Sequence, residues 1–98
     1  MKSVGIIGGS GYTGGELIRL VIHHPALKLD FVYSTTRAGK AVTTAHPDLL
    51  GSLNLNFTDT VNPEIDLLYL CLGHGNSRAF LENYSFSEKT IIIDLGND

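Results

Sequence analysis

The chain has 98 residues, which is enough for one domain with a modest hydrophobic core. Its formal net charge is −3 and it has no basic run, so neither nucleic acid nor an anionic membrane is an expected partner. A single cysteine excludes an internal disulfide framework, and the N-terminal residues reach glycine too early to form the apolar stretch of a signal peptide. We therefore expect a cytoplasmic protein without a membrane-spanning segment.

Apolar runs separated by turn signals predict alternating strands and helices. A short β-branched run at residues 4–7 predicts a first strand, and apolar residues at helical spacing predict a helix over 12–23, with Leu20 among the residues that face the core. Pro25 ends that helix, and residues 27–33 predict a second strand that completes a right-handed βαβ unit.

The second half of the chain continues this alternation. The predicted elements are a helical turn at 46–51, an edge strand at 53–57, a central parallel strand at 65–72, a helix from 76 or 77 through 84, and a fifth strand at 90–95. We expect Asn76 or Ser77 to cap the last helix, and Ala79, Phe80 and Tyr84 to face the sheet. The order predicts an α/β fold, a Rossmann-type doubly wound and mostly parallel sheet. We interpret residues 1–98 as one truncated domain of this kind.

A glycine cluster separates the first strand from the first helix. Gly8, Gly11 and Gly14 fit the spacing G-x-x-G-x-x-G, which we favour over the overlapping G-x-G-x-x-G that starts at Gly9. Strand, glycines and helix in this order predict a dinucleotide site, with Gly11 against the pyrophosphate and Gly14 where the helix packs closely on the sheet. The alternative is a plain glycine-rich turn.

Residues beside these glycines are candidates for direct phosphate contact. Ser10 lies within the cluster, and the backbone N–H groups of Tyr12 and Thr13 fall at the start of the helix, where they lack helical partners. Tyr12 and Thr13 are equally well interpreted as ordinary residues of a first helical turn.

The end of the second strand distinguishes between two cofactors. An NAD site usually has Asp or Glu there, but this chain has Ser34, Thr35, Thr36 and Arg37. Hydroxyls and a guanidinium can bind a 2′-phosphate, which a carboxylate would repel, so we expect NADP to be bound by Ser34, Thr36 and Arg37. The alternative for Arg37 is a solvated loop cation. Asp30 is interpreted as a solvated acid near the start of the strand.

Several further segments extend the pattern beyond the glycine cluster. They are His24-Pro25, Ala38-Gly39-Lys40, His46-Pro47-Asp48-Leu49-Leu50-Gly51, Gly73-His74-Gly75 and Asp94-Leu95. With these segments the whole chain resembles the N-terminal, NADP-binding part of the N-acetyl-γ-glutamyl-phosphate reductases, oxidoreductases of arginine biosynthesis. Gly9 and Gly96 depart from the family pattern, which more often has alanine and serine there.

The resemblance implies roles for particular residues. The loop from Gly8 to Gly14 would hold the pyrophosphate, the stretch from Ser34 to Arg37 would hold the 2′-phosphate, and a segment after the fourth strand would line the cofactor. That segment contains Leu72, Gly73, His74 and Ser77.

The resemblance also implies a reaction. In the family a cysteine thiolate attacks an acyl phosphate, and NADPH reduces the resulting thioester to an aldehyde with the help of a histidine. Both residues lie in the following domain, so we expect this chain alone to be inactive and to contain no catalytic residue. The small-molecule substrate would be N-acetyl-γ-glutamyl phosphate. The full-length enzyme would be a homo-oligomer, although no residue of this chain indicates the oligomeric state.

Cysteine and histidine residues of this chain have simpler interpretations. Cys71 lies between two leucines of an apolar strand and is expected to be a small buried hydrophobe. His23 and His24 point to different helix faces and His46 has no partner at ligand spacing, so no metal site is predicted.

Two alternatives for the function remain open at this point. The chain could be a stand-alone dinucleotide-binding regulatory module, or the corresponding part of an aspartate-semialdehyde dehydrogenase. The segment from Gly11 to Leu17 and the segment around His46 argue against the second alternative by resemblance only.

Overall fold

The computed structural model describes residues 1–73 and 75–95. Within this part of the chain, four parallel strands form one sheet in the order β2-β1-β3-β4. The predicted parallel α/β fold is therefore confirmed. The elements are β1 (Lys2–Ile7), α1 (Tyr12–Ile22), β2 (Leu27–Tyr33), β3 (Leu67–Leu70), α2 (Asn76–Asn83) and β4 (Ile91–Asp94), with short 3₁₀ turns at Val42–Thr44 and Pro47–Leu49.

The middle of the sheet is covered on both faces, whereas Ile91 and Ile92 of β4 are exposed. On one face, Ile18 and Val21 of α1 pack on Val4 and Val32, and the long connection from β2 to β3 adds Phe57 to the same cluster. On the other face, Phe80 of α2 belongs to a second cluster of buried hydrophobic side chains. Burial on both faces explains why the strands read as continuous apolar runs. The second cluster contains Ile7, Phe31, Tyr33, Ile65, Leu68, Leu70 and Phe80.

The predicted strand at 65–72 is shorter in the structure. Asp66 accepts hydrogen bonds from the backbone N–H and the hydroxyl of Ser3, at 2.8 and 3.1 Å, and its own N–H bonds the same hydroxyl. These bonds lower the pKa of the Asp66 carboxyl. Because bonds with the Ser3 hydroxyl and the Asp66 carboxylate take the place of backbone pairing between Ser3 and Asp66, regular pairing of β3 with β1 begins at Leu67.

The predicted edge strand at 53–57 is wrong. Exposure alternates as expected, with Phe57 buried and Asn54 and Asn56 exposed, but regular pairing does not form. The N–H of Phe57 bonds the carbonyl of Lys40, whereas the N–H of Thr58 bonds the end of β2. The segment thus divides its hydrogen bonds between two neighbours.

The helix faces differ from the prediction at two positions. Leu20 is 70% exposed because it lies about 200° around α1 from the buried Ile18. Ala79 is exposed, whereas Phe80 is buried. Neither predicted cap is present, because α2 starts after Gly75, at a φ of +81°, with no side-chain cap.

The connection after β2 is fastened to α1 around Pro47. Arg19 of α1 donates hydrogen bonds to the Asp48 carboxylate from Nε at 2.6 Å and from Nη2 at 2.8 Å. Arg19 also donates to Glu16 at 3.0 Å. On the other side of Pro47, the side chain of His46 is buried.

Within residues 1–73 and 75–95, no helix has the length and apolar character needed to span a membrane.

The ion pair should make stability depend on acidity at low pH. The hydrogen bonds donated by Arg19 lower the pKa of Asp48 from 3.8 to about 2. Because the folded-state pKa lies below the unfolded one, this stabilisation is present above about pH 4 and is lost as the pH falls towards 2. We expect chemical-unfolding midpoints to fall more steeply over this range for the wild type than for Asp48→Asn.

The matched control is Glu16→Gln, which leaves the contact between Arg19 and Asp48 intact and should follow the wild type. Parallel slopes for the wild type and Asp48→Asn would contradict the prediction.

Candidate functional site

Gly8 turns the chain out of β1. Its φ of +82° lies in the left-handed region, and its N–H donates to the carbonyl of Tyr33 at 3.0 Å. A Cβ at this position would lie 2.7 Å from the carbonyl oxygen of Cys71. Glycine is therefore needed at position 8 both for the backbone conformation and for the close approach of the segment after β3.

Gly14 and Gly11 have opposite surroundings. A Cβ on Gly14 would lie 2.6 Å from the Cα of Gly9 and 2.7 Å from the carbonyl oxygen of Gly8, so α1 packs directly on the loop. A Cβ on Gly11 would meet nothing within 4 Å. Gly14 thus serves packing, while Gly11 borders open space in front of the helix.

The start of α1 is suited to an anion. The N–H of Gly15 bonds the carbonyl of Gly11 at 3.0 Å, so the N–H groups of Tyr12, Thr13 and Gly14 come before the first helical bond. The N-cap, Gly11, makes no side-chain cap bond and the first turn contains no acidic residue. Free donors and the positive end of the helix dipole fit the pyrophosphate of a dinucleotide.

A cavity of about 180 Å³ joins the glycine loop to the end of β2. Gly8 and Ser10 form one side, residues 33–36 form another, and Leu72 contributes from the segment after β3. The hydroxyls of Ser34 and Thr36 lie 3.4 Å apart, and no carboxylate is among the lining residues. Because a carboxylate would repel a 2′-phosphate, a wall of hydroxyls without a carboxylate can accept a phosphate-bearing ribose.

Of the other predicted cofactor residues that the structure describes, none is among the residues lining this cavity. Tyr12, Thr13 and Gly73 are exposed, and Arg37 is half-buried directly after the lining residues. Ser77 is buried and its hydroxyl donates to Asp94 Oδ1 at 3.1 Å. His74 lies outside the described residues.

The side chains of Asp30 and Cys71 make their contacts outside the cofactor cavity. Asp30 is the fourth residue of β2, short of the strand end, and its carboxylate accepts a hydrogen bond from Asn62 Nδ2 at 2.9 Å. Cys71 is half-buried against the core, and burial together with the nearby Asp94 charge raises its pKa to about 11. At neutral pH this thiol is protonated and is a poor nucleophile.

Tyr33 is a wall residue that the sequence analysis missed. Its hydroxyl lies 3.1 Å from that of Tyr84, and its ring meets Phe80 edge-on at 5.3 Å between centroids. The hydrogen bond with Tyr84, burial and the charges of Tyr84 and Asp59 raise the pKa of Tyr33 to about 12. A neutral phenol therefore borders the cavity. The sequence signal that could have identified Tyr33 is its position directly before Ser34.

His46 is the second residue that was missed. Its Nε2 lies 2.7 Å from the carbonyl oxygen of Gly9, and the side chain is buried. The sequence pattern indicates no metal site at His46, and the signal for its role is the segment His46-Pro47-Asp48 that contains it. Among the residues that the structure describes, no group of three metal-ligating side chains is found.

A parallel α/β sheet with a glycine turn, an open helix start and a hydroxyl-lined strand end defines a dinucleotide-binding domain. The family model described as "Semialdehyde dehydrogenase, NAD binding domain" matches residues 3–98. The chain therefore belongs to this family, and the expectation of a nicotinamide dinucleotide as cofactor is confirmed.

Curated relatives agree with the resemblance seen in the sequence. N-acetyl-γ-glutamyl-phosphate reductases from Flavobacterium johnsoniae, Christiangramia forsetii and Bacteroides fragilis are 57%, 54% and 46% identical to the whole chain. The chain spans 30 to 31% of the length of these relatives.

A solved structure shows the same fold. The aspartate-semialdehyde dehydrogenase from Candida albicans, crystallised with NADP, matches with a TM-score of 0.68 and 22% identity. The match covers 96% of this chain and 29% of the other.

Two glycine variants should separate cofactor binding from packing. In Gly11→Val the backbone, at φ −85° and ψ −179°, accepts any residue, but the side chain fills the space before the helix start. We expect the fold to persist and dinucleotide binding, measured by calorimetry, to be abolished.

Gly14→Ala is the matched contrast, because its Cβ would collide with the Gly9 backbone. We expect it to lower the free energy of unfolding by about 1 to 3 kcal/mol, as overpacking does. Unchanged binding in Gly11→Val, or unchanged stability in Gly14→Ala, would contradict the assignment for that glycine.

Proposed function

We propose that residues 1–98 are the coenzyme-binding portion of an NADPH-dependent N-acetyl-γ-glutamyl-phosphate reductase. The observation that carries the proposal is that the glycine loop and the hydroxyl-rich end of β2 line the same cavity. The curated relatives with this name support the choice of enzyme, since they match the chain over its whole length.

The cofactor assigned to the cavity is NADP(H) rather than NAD(H). A 2′-phosphate would be bound by the Ser34 and Thr36 hydroxyls, with the Arg37 guanidinium adding a charge-assisted hydrogen bond. Asp30, the acid of β2, is held by Asn62 and precedes the strand end by three residues. The position at which NAD sites place a ribose-binding carboxylate is thus filled by hydroxyls.

The described residues bind and orient the cofactor. The first N–H groups of α1 and the Ser10 backbone would bind the pyrophosphate, and Leu72 would exclude water from the same cavity. Bound NADPH would supply the hydride that reduces the acyl group of the substrate. His74 and Ser77 remain candidates for lining the cofactor by family resemblance.

The nucleophile of the reaction is assigned outside this chain. Cys71 is its single cysteine, and the raised pKa of about 11 opposes a role as thiolate. A cytoplasmic location, an acyl-phosphate substrate and a homo-oligomeric full-length enzyme complete the proposal. The aspartate-semialdehyde alternative is less well supported, since at 22% identity the structural neighbour shows the shared fold alone.

NADP should bind more tightly than NAD. In the proposed site Arg37→Ala removes a charged partner of the 2′-phosphate, so NADP binding should weaken by about 1.5 to 3 kcal/mol. NAD lacks that phosphate, and its binding should be unchanged. The measurement is titration calorimetry of both cofactors against the wild type and the variant.

Lys40→Ala is the control, because Lys40 is an exposed cation three residues further along the same loop. It should weaken NADP much less than Arg37→Ala does. Equal affinity for the two cofactors in the wild type, or equal losses in the two variants, would remove the support for NADP.

The chain alone should show no reductase turnover. We expect no NADPH formation from N-acetylglutamate semialdehyde, NADP and phosphate with either the wild type or Cys71→Ser, because a protonated thiol is a poor nucleophile. Cofactor binding should persist in both proteins. Turnover that disappears in Cys71→Ser would show that Cys71 is the nucleophile after all.

A further inference from the structure

His46 reaches the glycine loop from 37 residues away in sequence. Its residue exposure is 6%, and its Nε2 lies 2.7 Å from the carbonyl oxygen of Gly9. Because a carbonyl can only accept, Nε2 carries the hydrogen of this bond. The ring fits there because residue 15 is glycine, whose Cβ, if present, would lie 2.5 Å from Cε1 of the imidazole.

The carbonyl of Gly9 and the N–H of Ser10 belong to one peptide unit. A trans peptide is planar, and its C=O and N–H point in opposite directions. With the oxygen held by His46, the Ser10 N–H is directed away from the imidazole. Ser10 lines the cofactor cavity, where an N–H directed away from His46 would be able to donate to a pyrophosphate.

Apart from the packing of Gly14 and Val32 on Gly9, this peptide has few other restraints. Glycines at positions 8 and 9 give the loop wide conformational freedom, and ordering it on binding would reduce affinity. The Gly9 N–H lies 3.4 Å from the Tyr33 carbonyl, which accepts a shorter bond of 3.0 Å from Gly8. The hydrogen bond from His46 is therefore the strongest polar restraint on the Gly9 and Ser10 peptide.

We propose that His46 is a positioning residue for the dinucleotide, which fixes the peptide between Gly9 and Ser10 so that the Ser10 N–H is presented to the pyrophosphate. The inference rests on the proposed function, because it assigns a role within the same cofactor site. His46 acts through the loop and makes no contact with the cofactor itself.

The first test is His46→Phe, which keeps an aromatic ring and removes the donor. The Kd for NADPH, measured by calorimetry, should rise about tenfold, as expected for one lost hydrogen bond. Adenosine 2′-monophosphate carries the 2′-phosphate but no pyrophosphate, so its Kd should not change. His46→Asn, whose amide is too short to reach Gly9, should repeat this result, and His46→Gln, which can donate at nearly the same reach, should restore most of the affinity.

Asp48→Asn is the matched control. It weakens the ion pair by which the same segment is attached to Arg19 of α1, without touching Gly9, and should leave the Kd for NADPH at the wild-type value. A loss in Asp48→Asn as large as that in His46→Phe would attribute the effect to docking of the segment and overturn the proposal. An equal loss of adenosine 2′-monophosphate binding in His46→Phe would do the same.

The two proposals can fail separately. If the wild type binds NADPH and His46→Phe and His46→Asn bind it equally well, the positioning role is refuted while the cofactor assignment stands. If the wild type does not bind NADPH, both are refuted.

Discussion

The cofactor end of the sheet depends on one steric contact, between the first turn of α1 and the loop that leaves β1. Gly14 and Gly9 meet backbone to backbone, and a Cβ on Gly14 would lie 2.6 Å from the Gly9 Cα. With no side chain between them, the helix starts directly behind the loop and its free N–H groups face the open space beside Gly11. The same approach brings α1 against the segment around His46.

Local patterns predicted the first half of the fold better than the second. The bounds of β2 and the start of α1 follow from short-range signals, namely apolar runs bordered by glycine and proline. No strand forms at 53–57, although burial alternates there. Burial of Phe57 produces the alternation, whereas a strand also requires that successive residues pair with the same neighbouring strand. The prediction that Leu20 faces the core was wrong because α1 contains five apolar residues, more than one helix face can bury. Ile18 and Val21 are the ones that are buried.

The site was predictable where parallel-sheet geometry alone brings residues together. β1 and β2 are neighbours and run in the same direction, so the glycine loop and residues 34–36 must emerge at one edge. Parallel-sheet geometry does not predict that His46 lies beside the glycine loop. Its position follows from the burial of Val42, Leu49 and Phe57 in the core beneath α1, a long-range packing result that no local motif encodes.

An acidic chain that binds a polyanion must rely on short-range interactions. The net charge is −3, but at physiological salt charges are screened beyond about 8 Å, so distant acids matter little. Arg19, a cation of α1, is already bound to Asp48 and Glu16. In the proposed site the attraction would therefore come from helix N–H dipoles, hydroxyls and Arg37, whose effect falls off steeply with distance and orientation. Such donors are effective only when the backbone holds them in place, and the packing of Gly14 on the loop is the contact that holds the start of α1 against the loop.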